Sequence, residues 1–185
     1  HHINAWVILP ATKKDDCAFV EMLTGQAQPP AWFVSHWWGQ PITQLMGCVN
    51  AHRATRGLSD DKPYWISAYA LRQHVVRSEI THDTKKTSFY KALETARFNM
   101  LLVLDSDATP FIRIWCTFEE TLCFDWPGTP LDISIWYGAK AEIITQGLTE
   151  EEDKMELHKR GEGIKAKLAR EATFPIEIAE AGMEA

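Results

Sequence analysis

The sequence predicts a doubly wound α/β fold, in which helices cover both faces of a parallel sheet of about five strands. Short apolar runs alternate along the chain with stretches whose apolar residues recur at helical spacing. The run from Met100 to Leu104 is apolar throughout, as expected of a strand buried on both faces. The chain has 185 residues, 45% of them hydrophobic, which is enough to build the core of one such domain.

Each expected strand is a short apolar run that ends in polar residues or a turn. The central strand is placed at 31–36, where Trp32-Phe33-Val34 follows two prolines and precedes a polar segment. Four more strands are expected near residues 64–69, 100–105, 131–137 and 141–145. Because each of these runs is followed by a helix or a loop of crossover length, we expect all five strands to be parallel.

The helices are expected between these strands. Pro41 suits a first helical position, and apolar residues then recur at helical spacing until Gly57. Ser88 is the expected N-cap of the next helix, and Thr109-Pro110 is expected to open a third.

The two ends of the chain are expected to extend the domain and to form no second one. Residues 1–30 are expected to form an N-terminal arm, with Trp6 to Leu9 as a short strand or arm before a helix. The core is placed at 31–146, and residues 147–185 are expected to add a charged helix and a tail to the same domain.

Composition argues against several classes of partner. The formal net charge is −6 and no basic patch is evident, which argues against nucleic acid. No apolar run approaches the roughly 20 residues of a membrane span, and the first residues lack the features of a secretory signal. We therefore expect a cytoplasmic protein with no membrane partner. Its four scattered cysteines are expected to be reduced.

Polar and aromatic residues cluster where the expected strands end. Ser35, His36, Trp37 and Trp38 follow the first strand, and Asp105 and Ser106 follow the third. Ligands of doubly wound sheets bind at the carboxyl ends of the strands, so these residues form the candidate site. The sequence contains neither a Gly-rich dinucleotide fingerprint after the first strand nor a Walker lysine.

Trp115 and Glu119 are four residues apart and therefore neighbours on one face of the expected helix. A carboxylate packed against an indole is partly desolvated, so it can stabilise developing positive charge or bind a ribose hydroxyl. The alternative is that Trp115 is a core residue and Glu119 a solvated one.

Three motifs, taken in order, resemble landmarks of Toll/interleukin receptor (TIR) domains. They are Phe33-Val34-Ser35 at the end of the first strand, the helical segment 89–97 (FYKALETAR) before the third strand, and 115–119 (WCTFE) on the next helix. The resemblance covers roughly residues 31–146 and implies a flavodoxin-like fold. One departure is that two indoles stand where TIR domains usually carry Arg-Gly.

The resemblance also implies an activity. In TIR domains that cleave NAD, the glutamate of the tryptophan-glutamate motif is catalytic, and by position that role falls on Glu119. NAD is then the substrate, no separate cofactor is implied, and the loop 71–86 would gate the site and join neighbouring domains. The residues expected to bind NAD are Ser35, His36, Trp37, Trp38, Asp105, Ser106 and Trp115.

Two other chemistries, metal binding and a thiol nucleophile, are suggested by the cysteines and histidines. Cys48 and His52 are four residues apart on a helix and could share a metal ion, but no second ligand pair accompanies them, so we expect no metal. Cys116 with His36 could form a nucleophile and base, but glutamates 119 and 120 flank the thiol and oppose its ionisation. Trp37 and Trp38 are either core residues or a stacking platform for a flat ring.

Two functions from different classes are therefore expected. The first is an NAD(P) glycohydrolase or cyclase that cleaves the nicotinamide-ribose bond and signals through self-association. The second is a TIR-like interaction module that performs no chemistry. Glu119 separates them, because a module that only binds partners has no need of this carboxylate.

Overall fold

A computed structural model describes residues 2–76, 83–124, 126, 128–178 and 180. The chain folds as α/β, with helices flanking a five-stranded sheet of order β2-β1-β3-β4-β5. This is the strand order of flavodoxin-like doubly wound folds, as predicted. The strands are β1 (Trp32–His36), β2 (Tyr64–Ile66), β3 (Met100–Leu104), β4 (Leu131–Tyr137) and β5 (Lys140–Ile144).

The first four strands are parallel, but β5 runs antiparallel to β4. The prediction of five parallel strands is therefore wrong at this edge. Only two residues separate Tyr137 from Lys140, whereas a parallel connection needs a crossover of about a dozen residues. Gly138, with φ of 61°, takes the left-handed conformation that the tight turn requires.

Helices cover both faces of the sheet. The α-helices are α1 (Leu9–Thr12), α2 (Phe19–Leu23), α3 (Ile42–Thr55), α4 (Ser67–Ala70), α5 (Ser88–Thr95), α6 (Ile114–Phe124), α7 (Glu150–His158) and α8 (Glu162–Glu171). On one face α3 buries Leu45 and Val49 against Val34 of β1. On the other face α5 and α6 bury Leu93 and Cys123 near Phe33. Side chains alternate along β1, so neighbouring residues serve opposite cores.

The helix boundaries differ from the predicted ones where local hydrogen bonds compete. Thr87, rather than Ser88, caps α5, because its hydroxyl accepts a hydrogen bond from the Tyr90 N–H. Thr109-Pro110 opens a 3₁₀ turn, Thr109–Ile112, and α6 begins only at Ile114. The charged tail forms two helices, since Gly161 has a φ of 89° between them.

The second strand is also shorter than predicted. It ends at Ile66, and Ser67–Ala70 folds as the helical turn α4. The Ser67 hydroxyl accepts a hydrogen bond from the Trp38 indole at 2.8 Å, which ties this turn to the end of β1.

The N-terminal segment is helical, and the expectation of a strand at Trp6 to Leu9 is wrong. A π-helical turn, Asn4–Ile8, runs directly into α1. Ile8 and Thr12 are completely buried, while Trp6 is 79% exposed. This segment therefore packs on the domain through one face. Within the described ranges, every helix is too short or too polar to span a bilayer.

Candidate functional site

Glu119 lies in a pocket of about 170 Å³ at the carboxyl end of the parallel strands. The pocket is formed by the ends of β1 and β2, by α5 and by α6. It is lined by Val34, His36, Trp38, Ser67, Val76, Phe89, Arg113, Trp115, Cys116 and Glu119. The structure therefore brings together four of the predicted site residues: His36, Trp38, Trp115 and Glu119.

The position of Glu119 on α6 explains its burial. Cys116, Glu119 and Cys123 recur at helical spacing and are each 5% exposed. The carboxyl group therefore stands on the stripe of α6 that faces the sheet. Trp115, by contrast, is 36% exposed. The alternative of a core tryptophan beside a solvated glutamate is wrong in both halves.

Burial changes the acidity of this glutamate. It raises the pKa of Glu119 to about 8, because the ionised carboxylate would lose its solvation. The nearby Ser35 hydroxyl lowers this pKa, and the charge of Glu120 raises it. Burial also raises the pKa of Glu120 to about 7. In the empty pocket at neutral pH, the Glu119 carboxyl is therefore mostly protonated.

Ser35 and His36 each present a buried polar atom that has no hydrogen-bond partner among the described residues. The Ser35 side chain lies near enough to affect the pKa of both Glu119 and Cys116, yet its hydroxyl oxygen makes no hydrogen bond of regular geometry. His36 donates from Nδ1 to the carbonyl oxygen of Trp37 at 3.1 Å, which leaves Nε2 as an unpaired acceptor. Burial lowers the pKa of His36 to about 4, so the ring is neutral.

Aromatic rings make the outer wall of the pocket. The Trp115 and Phe89 rings are stacked, with centroids 5.9 Å apart and an interplanar angle of 15°. Trp65 packs edge-on against the other side of Phe89. This arrangement holds the Trp115 indole in place while leaving part of it accessible, as a platform for a flat ring requires.

Four predicted site residues do not line this pocket: Ser35, which lies beside it, and Trp37, Asp105 and Ser106. Asp105 is a cap of the 3₁₀ turn, since its carboxylate accepts hydrogen bonds from the Thr109 N–H and hydroxyl, both at 2.7 Å. Ser106 is exposed beside it. Trp37 lies over the backbone of Gly39, where a Cβ atom would collide with the indole. Neither Ser106 nor Trp37 lines the pocket that contains Glu119.

The predicted site omits six of the lining residues: Val34, Ser67, Val76, Phe89, Arg113 and Cys116. Arg113 supplies a cation beside the pocket. Ser67 and Phe89 come from the end of β2 and from α5. A signal for Arg113 existed, because it stands two residues before Trp115 and immediately before the first residue of α6.

Only part of the predicted gate loop, 71–86, can be placed. Val76 lines the pocket, which puts the first half of the loop beside Glu119. Residues 77–82 lie outside the described part of the chain.

The geometry also decides the two alternative chemistries. Both ring nitrogens of His52 are engaged, by the Tyr64 hydroxyl at 2.7 Å and by Asp132 at 2.8 Å. It therefore has no nitrogen to share with Cys48, and the described residues contain no group of three or more metal-ligating side chains. Burial and the nearby glutamates raise the pKa of Cys116 to about 11, so this thiol is not an activated nucleophile.

Comparison of the chain with protein-family models, with curated proteins and with solved structures finds no match in any of the three.

Proposed function

We propose that the chain is a TIR-like NAD(P) glycohydrolase or cyclase, which cleaves the nicotinamide-ribose bond with Glu119 as its catalytic residue. The observation that carries the proposal is a desolvated glutamate beside a partly exposed tryptophan, in a pocket at the carboxyl end of the sheet. A strongly perturbed carboxyl group in a cleft is typical of a functional site.

The chemistry suits a single carboxylate. The nicotinamide ring of NAD is cationic, so it leaves as a neutral molecule when the C–N bond breaks and its electron pair goes to the ring nitrogen. Positive charge then develops on the ribose, and water or another nucleophile adds to the anomeric carbon and loses a proton. A preorganised negative group in a dry pocket favours that transition state over the ground state.

Ionisation of Glu119 is coupled to binding in this proposal. The pKa of about 8 means that the empty pocket holds a protonated carboxyl at neutral pH. A cationic ring placed beside it favours the ionised form and lowers that pKa. The charge needed for catalysis therefore forms when the substrate is bound, and the Trp115 platform is positioned to stack on the ring.

The size of the pocket limits what it can hold. A volume of about 170 Å³ is below the roughly 300 to 1,000 Å³ of sites that enclose a whole drug-sized ligand. It suits one ring and part of a ribose, with the rest of the dinucleotide outside. Arg113 and the start of α3, which no side chain caps, are the nearby groups suited to phosphates.

The test is nicotinamide release from NAD, measured at high protein concentration for the wild type, Glu119→Gln and Glu120→Gln. We expect Glu119→Gln to reduce the rate by about 100-fold or more, because the amide cannot carry the negative charge. Glu120→Gln is the matched control, since it removes a neighbouring buried carboxyl that does not line the pocket. Equal rates for wild type and Glu119→Gln would remove this residue from the mechanism.

A second candidate function is an interaction module that assembles with itself or with similar domains. Ile112 and Ile114 favour it, because these side chains are 67% and 81% exposed at the start of α6. No nicotinamide release by any variant, even from concentrated or tethered protein, would favour this function over the enzyme.

A further inference from the structure

A second and larger pocket, of about 480 Å³, adjoins the Glu119 pocket. His36 and Trp38 line both, so the two pockets share a wall. One side of the larger pocket is built by the loop after β1 and the start of α3, and the other by the N-terminal π-helical turn with Asn4. Its volume falls within the range of pockets that enclose small ligands.

Three buried acceptor atoms around this pocket have no partner among the described residues. They are Asn4 Oδ1, His36 Nε2 and Gln40 Oε1. In two of these side chains, the hydrogen bond that the other polar atom donates shows that the unpaired atom is an acceptor. His36 donates from Nδ1 to the Trp37 carbonyl, and Gln40 donates from Nε2 to the Leu104 carbonyl at 3.3 Å. The atoms left over must therefore accept hydrogen bonds.

Unpaired acceptors of this kind define the ligand they would bind. Buried polar groups in native proteins are almost always paired, and leaving three unpaired in one place is costly. An aromatic amino group, which has two N–H donors, would pair two of the three. The described lining contains no Asp, Glu, Lys or Arg, so the site offers no counter-ion to a charged amine. Trp38 and Tyr69 supply aromatic surface for a flat ring.

We propose that this pocket binds an amino-substituted aromatic heterocycle of the adenine kind, whose amino group donates to these acceptors. The N-terminal turn is then a lid, because it lines one side of the pocket and carries Asn4, one of the three buried acceptors. The proposal rests on the proposed function in one respect, since the shared wall makes this base the other half of the dinucleotide that Glu119 cleaves.

The lid has the structure that such movement requires. Its Asn4–Ile8 turn is π-helical, a conformation that is rare and frequently occurs at functional sites. It is anchored at its far end, where Ile8 and Thr12 are fully buried and the Thr12 hydroxyl lies 3.1 Å from His74 Nε2. A shift of the Asn4 side of the turn would open the pocket without unfolding the anchor.

The test compares binding of two nucleotides that differ at one group. AMP carries a 6-amino group with two N–H donors beside an acceptor N1, whereas IMP carries a 6-oxo acceptor beside a single N1–H donor, and neither has a nicotinamide bond to cleave. Binding is followed by quenching of tryptophan fluorescence. We expect AMP to bind at least tenfold more tightly than IMP, because IMP lacks the 6-amino donors and places a repulsive oxygen against the acceptors.

Variants at Asn4 separate recognition from folding. Asn4→Leu removes one acceptor, so AMP should bind about 3- to 10-fold more weakly while IMP is unchanged. The melting temperature of the empty protein should stay the same or rise, since an unpaired buried acceptor is lost. Asn4→Asp keeps an acceptor oxygen and should preserve the preference for AMP. Equal affinities for AMP and IMP, or an Asn4→Leu variant that binds AMP normally, would overturn the proposal.

Glu119→Gln distinguishes this proposal from the proposed function. It should bind AMP as the wild type does, because Glu119 does not line the larger pocket. AMP preference without nicotinamide release in any protein would leave the base site standing and reject the enzyme. Release of nicotinamide without a preference for AMP would support the enzyme and reject the base site.

Discussion

Two clusters of buried polar side chains, one at each end of the sheet, differ in whether their atoms are hydrogen-bonded. At the amino end, Asp132 accepts hydrogen bonds from His52 Nε2 at 2.8 Å, from Arg56 at 2.6 and 2.7 Å, and from the Gln146 N–H at 2.9 Å. At the carboxyl end, Ser35 Oγ and His36 Nε2 have no partner among the described residues. Every polar side-chain atom of the Asp132 cluster named here is paired, whereas Ser35 and His36 each leave one atom unpaired.

The amino-end network stabilises the fold. Burial alone would raise the pKa of Asp132, but hydrogen bonds from His52 and Arg56 hold it below its usual range. Tyr64 occupies the second nitrogen of His52, and the Trp32 indole packs edge-on against the same ring at 4.4 Å. Asp, His and Tyr in a row suggest a catalytic relay, yet here every group is paired and the histidine is fully buried.

Structural and functional polar clusters are therefore distinguished by whether their polar atoms are hydrogen-bonded or ion-paired, and not by the residue types that they contain. Both ends contain a buried carboxyl group and a histidine. At the amino end the charge of Arg56 neutralises Asp132, whereas at the carboxyl end Glu119 has no ion pair within 4.0 Å among the described residues. Unpaired groups at the edge where ligands of such sheets bind indicate a binding site.

The largest expected effect is the loss of the amino-end network. Asp132→Ala leaves His52 and the partly buried Arg56 without their partner, so the free energy of unfolding should fall by about 3 to 5 kcal/mol. Urea denaturation measures it. Asp107→Ala, at an exposed position, is the control and should change stability by about 0.5 kcal/mol or less. A loss below about 1 kcal/mol for Asp132→Ala would contradict the structural role.

The second-largest expected effect is a pH-dependent loss of stability that arises from Glu119 at the carboxyl end of the sheet. The folded pKa of Glu119, about 8, exceeds the unfolded value, so the folded state binds the extra proton and loses stability as pH rises between about 4.5 and 8. Glu119→Gln imitates the protonated form and removes this loss. We expect stability equal to wild type near pH 4.5 and higher than wild type by a few kcal/mol near pH 8.

Denaturation of both proteins across this pH range measures the difference. Glu120→Gln serves as the comparison, and its gain should be smaller because burial raises the pKa of Glu120 only to about 7. A Glu119→Gln variant that is less stable than wild type at pH 8 would mean that the carboxylate has a stabilising partner.

The smallest expected effect concerns the two serines beside the pocket. Ser35→Ala removes a hydroxyl that has no regular hydrogen bond, so stability should change by less than about 0.5 kcal/mol. Ser67→Ala removes the acceptor of the Trp38 indole and should cost about 1 kcal/mol. Thermal unfolding of the pair tests the difference. A larger cost at Ser35 would show that its hydroxyl is paired in solution.

The sequence predicted the fold better than the site because the two depend on different information. Apolar runs mark β1 and β3 directly, since a strand buried on both faces must be apolar throughout. The antiparallel direction of β5 does not follow from its apolar residues. It follows from the two residues between Tyr137 and Lys140, which are too few for a crossover and form a hairpin turn. Trp6 to Leu9 was mistaken for a strand because a short apolar run fits a buried helix equally well.

The site was predicted in part. Helical spacing placed Trp115 and Glu119 on one helix, but only the packing of α6 shows which of them is buried. Asp105 resembles a ligand-binding residue in sequence, and its use as a cap depends on the local turn at Thr109. Asn4 and Gln40 carry no motif, so their convergence on one pocket becomes visible only in three dimensions.

The account depends most on the claim that the Glu119 pocket is completed by a cationic ring. The most direct measurement is a ¹³C NMR titration of the Glu119 carboxyl carbon, without and with 1-methylnicotinamide, using Glu119→Gln to assign the signal. We expect a pKa of about 8 in the empty protein and a decrease of roughly one unit or more with the cation bound. A saturating cation that leaves this pKa unchanged, or an empty-protein pKa near that of an ordinary glutamate, would contradict the account.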